Sequence, residues 1–321
     1  MSSGEDSNLG GKLLTPGPDD VARVFALGVP AGDLVPVRRG DAEAWRLDTS
    51  TGSYFVKGYF EDLTGQLAVA MEFERLALEA GVDMPEPVAP TDPLLGWVAR
   101  IDERLFRVYR WVEHRDPGLD VSIWFGRTMA QVHQLQPLGS GGLPQWWRQA
   151  VHSPATWDRW FAEARRLGAS WADRLPDIGT ATTRIAELCD GVPDLVTTHG
   201  DFKPHNIVNS PSGPVLVDWD SVRTDSAALE AGRAAYIIGA GDPQQIRRIL
   251  AAYTAAGGEL GWTGPNLFLS VTRNHLQVLS ELIQVWLEQA DAARWMGDRA
   301  TIETAIADRL LAMRAPDPPG S

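Results

Sequence analysis

One extended segment, inside a half of the chain that is otherwise helical in pattern, constrains the fold more than any other feature. Residues 198–220 read THGDFKPHNIVNSPSGPVLVDWD. Residues 207–209 and 215–217 are short runs rich in strand-forming side chains. The Ser-Pro-Ser-Gly turn between them predicts a β-hairpin. Because a hairpin brings its two ends together, the residue after the second strand is expected to lie beside the loop before the first.

Three oxygen-bearing side chains are therefore expected to converge: Asp201, Asn206 and Asp218. Hard oxygen ligands without cysteine suit Mg²⁺, which binds few protein carboxylates together with water and phosphate oxygens. The spacing His-x-Asp-x-x-x-x-Asn is that of a kinase catalytic loop. In that chemistry, Asp201 would orient a nucleophilic hydroxyl, and Asn206 and Asp218 would hold metal ions that offset the charge of nucleotide phosphates.

Composition narrows the class of partner. The 321 residues carry 29 Lys and Arg against 42 Asp and Glu, a net charge of −13. This balance argues against binding to nucleic acid or to an anionic membrane surface, since both need a basic face. The single cysteine, Cys189, excludes an intrachain disulfide framework and a cysteine-based zinc cluster. The polar start, MSSGEDSN, and the lack of an 18-residue apolar run make a cytoplasmic location the expectation.

The pattern of elements changes along the chain. The first third favours an antiparallel meander with one helix, and most of the remainder favours helices. Strands are expected at 35–37, 44–47, 53–57, 96–99 and 105–109, and helices at 67–80, 121–135, 156–175 and 267–288. The predicted organisation is a flexible tail (1–20), a small nucleotide-binding lobe (21–108), a hinge (109–113), a large lobe (114–314) and a second flexible tail (315–321).

The motif resembles a known family. His199-Gly200-Asp201, Asn206 and Asp218-Trp219-Asp220 look like the signature of the aminoglycoside phosphotransferase and choline kinase superfamily. The resemblance implies an α+β, protein-kinase-like two-lobed fold, with a small antiparallel-sheet lobe containing one helix and a mostly helical large lobe. It assigns Asp201 as the catalytic base or hydroxyl-orienting group, and Asn206 and Asp218 as Mg²⁺ ligands. His199 is expected to pack within the loop rather than to transfer protons.

The resemblance also implies a nucleotide site in the small lobe. Lys57, at the end of Phe55-Val56-Lys57, would contact phosphate and pair with a helix glutamate, for which the spacing favours Glu72 over Glu74. Residues 38–44 would form the loop that covers the phosphates. ATP is the expected donor, with GTP as the alternative. The predicted nucleobase-binding residues are Tyr109, Arg110, Trp111 and Val112.

The acceptor is expected to be a polar or cationic small molecule. Carboxylates near tryptophans in the large lobe could bind ammonium groups, and Glu230 stands where the family has an aspartate at the start of a helix. An aminoglycoside-like or other antibiotic is the leading hypothesis, and the predicted assembly is a monomer or homodimer. Alternatives are a metabolic kinase for choline, an amino sugar or another sugar, and a catalytically silent nucleotide-binding protein. The predicted acceptor-binding residues are Asp201, Glu230, Glu281, Trp286 and Glu288.

Overall fold

The computed structural model describes residues 16–39, 42–115, 120–149, 151–173, 178–293 and 296–313. The chain divides into two compact units, Met1–Met71 with Pro85–Glu113, and Glu72–Met84 with His114–Ser321. The first contains an antiparallel sheet and the second is mostly helical. The expected α+β, kinase-like two-lobed class is confirmed. The division assigns the predicted hinge residues to the first unit and residues 72–84 to the second.

The first unit is built around one antiparallel sheet. Its strands follow the order β1-β2-β3-β6-β4, and β5 also pairs with β6. Alternate residues of β3 point into a core formed by Trp45, Tyr54, Val56 and Val108, as expected for a sheet with one buried face. The elements are α1 Pro18–Val24, β1 Val35–Arg39, β2 Ala42–Thr49, β3 Gly52–Tyr59, α2 Thr64–Glu79 (shared with the second unit), β4 Pro87–Val88, β5 Val98–Ile101 and β6 Arg104–Arg110.

Two predictions for this unit need revision. Most of the two predicted tails, residues 1–15 and 314–321, lies outside the described residues. Helix α1, however, begins at Pro18, inside the first predicted tail. Proline at the first helical turn and two aspartates beside it favour a helix start there. The predicted phosphate loop, 38–44, is largely strand, since β1 continues to Arg39 and β2 starts at Ala42. Residues 40 and 41 lie outside the described residues.

The second unit contains the predicted hairpin within a helical framework. Strands β9 and β10 pair in antiparallel register, with Ile207 opposite Leu216. The predicted helix at 156–175 ends at Arg166, because Gly168 turns the chain with φ +77°. The elements are α3 Ser122–His133, β7 Gly139–Gly141, α4 Gln145–Arg148, α5 Pro154–Arg166, α6 Ile178–Asp190, β8 Val192–Thr198, β9 Ile207–Ser210, β10 Gly213–Leu216, β11 Arg223–Ser226, α7 Ala227–Ile238, α8 Pro243–Ala255, α9 Leu269–Trp286 and α10 Arg299–Ala312.

A small sheet that the sequence pattern did not predict supports the hairpin. Strand β8 lies between β7 and β11, and Thr198 at the end of β8 pairs with Arg223 at the start of β11. Helix α7 follows directly, with the Ser226 hydroxyl accepting from the Leu229 N–H at its N-terminus. Both ends of residues 199–222 are thus attached to the same sheet.

The core of the second unit is rich in tryptophan. Trp147, Trp157, Trp160, Trp171 and Trp286 all belong to one buried cluster that joins α5, α6, α9 and α10. Aromatic edges meet faces within it, as between Trp157 and Trp160, whose ring centres are 5.1 Å apart. Within the described part of the chain, no helix is both long and apolar enough to cross a lipid bilayer.

A close helix crossing depends on one glycine and gives a direct test of this packing. A methyl group at Gly126 of α3 would lie 2.3 Å from the Ile249 carbonyl oxygen of α8. We expect Gly126→Ala to lower the free energy of unfolding by about 2–3 kcal/mol, because rigid backbone must move apart. Urea denaturation measures this. Gly65→Ala, in α2 with open space around it, should cause no loss. Equal stability of the two variants would contradict the crossing.

Candidate active site

The loop between β8 and β11 displays the predicted catalytic residues. Residues Pro204–Asn206 form a 3₁₀ turn, the β9–β10 hairpin follows, and Trp219–Ser221 form a second 3₁₀ turn before β11 begins. The Val217 N–H donates to the Asn206 carbonyl oxygen at 2.9 Å, which extends the hairpin ladder. Asp218 therefore follows a residue bonded to Asn206. The predicted approach of these two residues is present in the structure.

Gly200 is required by the backbone path. Its φ is +81°, a conformation that residues with a side chain rarely adopt. A Cβ atom there would lie 2.1 Å from the Ser221 carbonyl oxygen. The two ends of the catalytic loop approach each other at this point. A glycine is therefore needed immediately before Asp201.

His199 is a structural residue of this loop. It is fully buried, and burial lowers its pKa, so the ring is neutral. Its Nε2–H donates to the Val217 carbonyl oxygen at 3.0 Å, and its Nδ1 accepts from the Asp201 N–H at 3.3 Å. The ring also stacks on Phe202, with centres 5.2 Å apart. Both ring nitrogens are engaged by the backbone, so His199 is not placed to transfer protons, in agreement with the prediction.

The Asp201 carboxylate is held by two donors. Lys203 Nζ lies 2.6 Å from its Oδ2, and Asn206 Nδ2 donates to the same oxygen at 2.9 Å. Burial raises the pKa of Asp201, but the bonds and charge of Lys203 and the bond from Asn206 outweigh it and leave the pKa below its ordinary value. The carboxylate is therefore ionised at neutral pH, as a group that accepts a proton or a hydrogen bond must be.

The oxygen of the Asn206 side chain is suited to a metal ion. Asn206 Nδ2 donates to both the carboxylate and the carbonyl oxygen of Asp201, which fixes the orientation of the amide. Its Oδ1 is buried and accepts no hydrogen bond from the described residues. A buried acceptor without a donor is costly, and a cation would satisfy it. Asp218, which follows a residue bonded to the Asn206 backbone, would add a carboxylate, and such a hard-oxygen donor set fits Mg²⁺.

Asp218 itself has an uncommon backbone conformation, with φ 68° and ψ 60°. Non-glycine residues in this left-handed region cluster at functional sites, where the surrounding structure imposes the strain. In the described residues, no cluster of three or more His, Cys, Asp or Glu side chains could hold a metal. One amide and one carboxylate do not form such a cluster, and a Mg²⁺ site of this kind takes its other ligands from phosphate and water.

In the first unit, Lys57 lies on β3, opposite Ala44 on one side and Arg107 on the other. Its ammonium is 5.7 Å from the ring centre of Tyr59. It occupies the strand position that the resemblance implies for a phosphate-binding lysine. Its contact with a nucleotide stays a prediction.

The predicted nucleobase-binding segment begins in a strand rather than in a linker. Tyr109, which is buried, and Arg110 are the last residues of β6. The Arg110 N–H donates to the Glu86 carbonyl oxygen, and the Trp111 N–H to that of Ser53. These two backbone donors are therefore engaged within the first unit. Trp111 and Val112 are half-buried and follow the strand, and a nucleobase contact by any of the four residues stays a prediction.

The two α2 glutamates that were considered as partners of Lys57 differ in burial. Glu72 is exposed and pairs with Arg75 at 2.7 Å on the helix surface. Glu74 is fully buried. The pairing of either glutamate with Lys57 stays a prediction.

The structure does not bring the predicted acceptor-binding residues together. Trp286 belongs to the tryptophan-rich core and is 4% exposed, with its ring 5.4 Å from that of Trp171, so it is not available to stack on a ligand. Glu288 is exposed beyond the end of α9 and lies 3.4 Å from Arg299. Glu281 is half-buried and accepts a hydrogen bond from Gln277 at 3.1 Å.

Glu230 is a buried structural carboxylate. It is completely enclosed, and it accepts from His133 Nε2 at 3.1 Å and from Arg233 at 2.8 Å. Burial raises the pKa of Glu230, but His133 and Arg233 outweigh this and lower the pKa to about 2. An ionised carboxylate whose partners come from α3 and α7 ties these helices together. It offers no free charge to a cationic acceptor.

Sequence reasoning missed several charged residues near the loop. Lys203 stood inside the motif, two residues after Asp201, and its position alone could have suggested the ion pair. Arg223, Arg233 and Arg273 come from β11, α7 and α9. The sequence spacing does not predict that these arginines lie close together, because each belongs to a different element.

The fold and the loop geometry define a kinase-like phosphotransferase, and comparison with known proteins agrees. The model of the phosphotransferase enzyme family matches residues 34–265. The chain belongs to this family, since the match covers more than half of it. No curated protein matches the chain in sequence.

Solved structures share the fold across nearly the whole chain. An amicoumacin kinase, in complex with AMP-PNP and Ca²⁺, has a TM-score of 0.62 at 12% identity and covers 91% of this chain and 92% of its own. A choline/ethanolamine kinase family protein from Mesorhizobium loti has a TM-score of 0.59 at 18% identity, covering 93% and 94%. A spectinomycin phosphotransferase has a TM-score of 0.55 at 13% identity, and the match covers 88% of this chain and 93% of its own. At these identities the likeness concerns the fold alone.

The ion pair within the loop can be tested by titration. Lys203→Gln removes the positive charge beside Asp201 Oδ2, so the pKa of Asp201 should rise. Carbon-13 NMR of the labelled carboxyl group measures it. Lys203→Arg keeps the charge and should leave the pKa close to that of the parent protein. An unchanged pKa in Lys203→Gln would show that the pair does not form in solution.

Proposed function

We propose that this phosphotransferase moves the γ-phosphoryl group of ATP to a hydroxyl of a small molecule, with Mg²⁺ as cofactor and GTP as the alternative donor. The observation that supports this most directly is the arrangement around Asp201. Its ionised carboxylate is fixed by Lys203 and Asn206, while the Asn206 oxygen is left for a cation. A protein without catalytic activity has no need of this combination, which argues against the silent alternative.

Asp201 would act on the acceptor hydroxyl. Its carboxylate accepts a hydrogen bond from that hydroxyl and turns the oxygen lone pair toward the phosphorus atom. As the new oxygen–phosphorus bond forms, the bond to the ADP oxygen breaks, and the hydroxyl proton passes to Asp201. Positioning of this kind supplies a large part of phosphoryl-transfer catalysis. The low pKa of Asp201 keeps it ionised before the reaction.

Asn206 and Asp218 would hold Mg²⁺, which offsets the negative charge of the nucleotide phosphates. Lys57 would contact phosphate oxygens, with Glu74 rather than Glu72 as its helix partner. Tyr109, Arg110, Trp111 and Val112 stay the candidates for nucleobase contact. The family resemblance implies these roles, except that the choice of Glu74 over Glu72 comes from its burial.

An antibiotic is our first candidate acceptor, because the structural neighbours include an amicoumacin kinase and a spectinomycin phosphotransferase. A metabolic alcohol is the second, because a choline/ethanolamine kinase family protein and an aminopropanol kinase share the fold equally well. A panel of acceptors incubated with ATP and Mg²⁺, with mass detection of an added phosphoryl group, distinguishes the two.

Loss of the Asp201 carboxylate should abolish most turnover. We expect Asp201→Asn to lower phosphoryl transfer from ATP, to acceptor or to water, by at least about 100-fold, the range of a lost general base. Nucleotide affinity, measured by calorimetry with ADP, should change little. Asp298→Asn, a cap of α10 where asparagine also caps, is the matched control. Full activity of Asp201→Asn would remove the proposed base.

The metal assignment predicts a changed Mg²⁺ requirement. Asn206→Ala and Asp218→Ala each remove one oxygen ligand, so the Mg²⁺ concentration for half-maximal ATP turnover should rise at least about tenfold. A Mg²⁺ titration of the turnover rate measures this. Asn266→Ala, in the 3₁₀ turn Gly264–Phe268, should leave the requirement unchanged. An unaltered Mg²⁺ curve in both ligand variants would contradict the site.

A further inference from the structure

Three arginines gather beside the catalytic loop in a chain whose net charge is −13. Arg223 and Arg273 both place their guanidinium groups over the ring of Trp146, each 4.6 Å from its centre. Arg233 is close enough to repel both. Burial and this mutual repulsion lower the pKa of Arg223 and bring that of Arg273 down to about 10. The three guanidinium groups therefore concentrate positive charge at this point of the second unit.

Two buried carboxylates, Glu230 and Asp225, offset part of this charge through Arg233. Glu230 gives its two oxygens to His133 and Arg233. Asp225 accepts from the indole of Trp147 and from the Ser226 N–H with one oxygen, and its other oxygen is 3.8 Å from Arg233. Burial and the nearby Glu230 raise the pKa of Asp225 to about 6.

Arg223 and Arg273 retain unused hydrogen-bonding capacity. Arg273 is 4% exposed and donates to the Trp146 carbonyl oxygen and to Asn274 Oδ1. The Nε–H groups of Arg223 and Arg273 are buried and find no acceptor among the described residues. Buried donors of this kind are costly unless a ligand satisfies them.

The cluster adjoins the catalytic residue. Arg223 pairs with Thr198 across β11 and β8. A Cβ atom on Gly200 would lie 3.1 Å from Arg223 Cγ, so the stem of this arginine packs against the residue before Asp201. The charge of Asp201 acts on Arg223 in turn. The cluster is therefore joined to the catalytic loop through the stem of Arg223.

A cavity of about 440 Å³ opens between α7, α9 and α10, within the size range of small-molecule sites. Arg233 belongs to both the cluster and this cavity, and Asn274, which accepts from Arg273, also lines it. Among its described lining residues there is no carboxylate. Glu281, one turn beyond Gln277, is engaged by that amide. The lining comprises Arg233, Tyr236, Ile237, Val271, Asn274, His275, Gln277, Val278 and Arg309.

The carboxylates that would suit a cationic acceptor lie at the other end of α9. A second cavity of about 450 Å³ there is lined by Val285, Glu288 and Asp291, among others. From Asn274 to Val285 the helix rises roughly 17 Å. Arg273 thus lies in the first part of α9, and the carboxylates of Glu288 and Asp291 follow its end.

We propose that the acceptor carries an anionic group, a carboxylate or a phosphate, bound by Arg233 and Arg309 in the cavity between α7, α9 and α10, with Arg223 and Arg273 extending the positive charge toward Asp201. This inference rests on the proposed kinase function. It replaces the cationic acceptor that the sequence suggested. A hydroxy acid or a phosphorylated alcohol is the substrate class that this arrangement fits.

The first experiment measures anion binding without catalysis. Thermal unfolding of the full chain with saturating ADP is followed in malonate, inorganic phosphate, 1,3-diaminopropane and sodium chloride at equal ionic strength. We expect malonate, phosphate or both to raise the Tm, and diaminopropane and chloride to have no comparable effect. A larger effect of malonate indicates a carboxylate acceptor, and a larger effect of phosphate indicates a phosphate ester. Equal shifts in all four solutions, or a shift with diaminopropane alone, would overturn the inference.

Arg309 is the residue to change, because it is half-buried and its side chain forms one hydrogen bond within the described structure, with His275 at 3.4 Å. The charge of Glu281 also acts on it. Arg309→Gln should reduce the anion-induced shift at least fivefold and raise the KM of an anionic acceptor at least tenfold, with a smaller effect on kcat. Arg299→Gln, on the same helix α10 but beside Glu288, is the matched control and should keep the full shift. An anion shift retained in Arg309→Gln would show that the anions bind elsewhere, which also overturns the inference.

An acceptor series then separates this inference from the proposed function. Glucose, glucuronate, glucose 6-phosphate and glucosamine share a sugar ring and differ in charge, and they are added to a wider panel of hydroxylated acids, alcohols and amines. Transfer confined to neutral or cationic acceptors, with turnover that depends on Asp201, would overturn the inference and leave the kinase assignment standing. A second outcome is possible, in which Arg309→Gln loses anion binding but no turnover of ATP depends on Asp201. This result would contradict the kinase assignment and leave the anion site as a ligand-binding site.

Discussion

The hydrogen bonds from the Asn206 amide to Asp201 organise the site on which the proposed chemistry depends. One amide donates to both the carbonyl oxygen and the carboxylate of the same residue, so loop backbone and catalytic side chain are fixed together. The same bonds direct the Asn206 oxygen away from Asp201, where a cation can use it. Lys203 adds charge that keeps the carboxylate ionised. The Asn206 side chain thereby holds the proposed hydroxyl-orienting group and offers the proposed metal-binding oxygen.

This arrangement depends in turn on the small sheet beneath it. The pairing of β8 with β11 closes the loop at Thr198 and Arg223, and the contact of Gly200 with the Ser221 carbonyl leaves no space for a side chain. Buried His199 joins both arms of the loop through the backbone of Val217 and Asp201. Preorganisation of this kind holds reacting groups in place at little further entropic cost.

The charge of the second unit differs between the two ends of α9. Buried arginines gather near the loop, where Glu230 and Asp225 only partly offset them, and carboxylates are exposed at the far end of α9. Overall net charge therefore says little about the charge of the acceptor. A negative surface keeps the protein soluble, whereas ligand selection depends on the few charges that line a cavity.

The sequence by itself determined the hairpin, the catalytic motif, the α+β class and most of the elements. These depend on short-range features: alternating apolar residues, turn residues and fixed spacing along one segment. The approach of the Asp218 end of the hairpin to Asn206 was predictable because a hairpin joins them within one short segment, and the roles of Asp201, Asn206 and Asp218 stay predictions. Only the tertiary structure decided that Glu74 rather than Glu72 is buried, that Trp286 is core, and that Glu230 is hydrogen-bonded to Arg233 and His133. It also decided that arginines from β11, α7 and α9 meet. Burial and charge pairing arise from contacts between elements distant in sequence, and no local spacing encodes them.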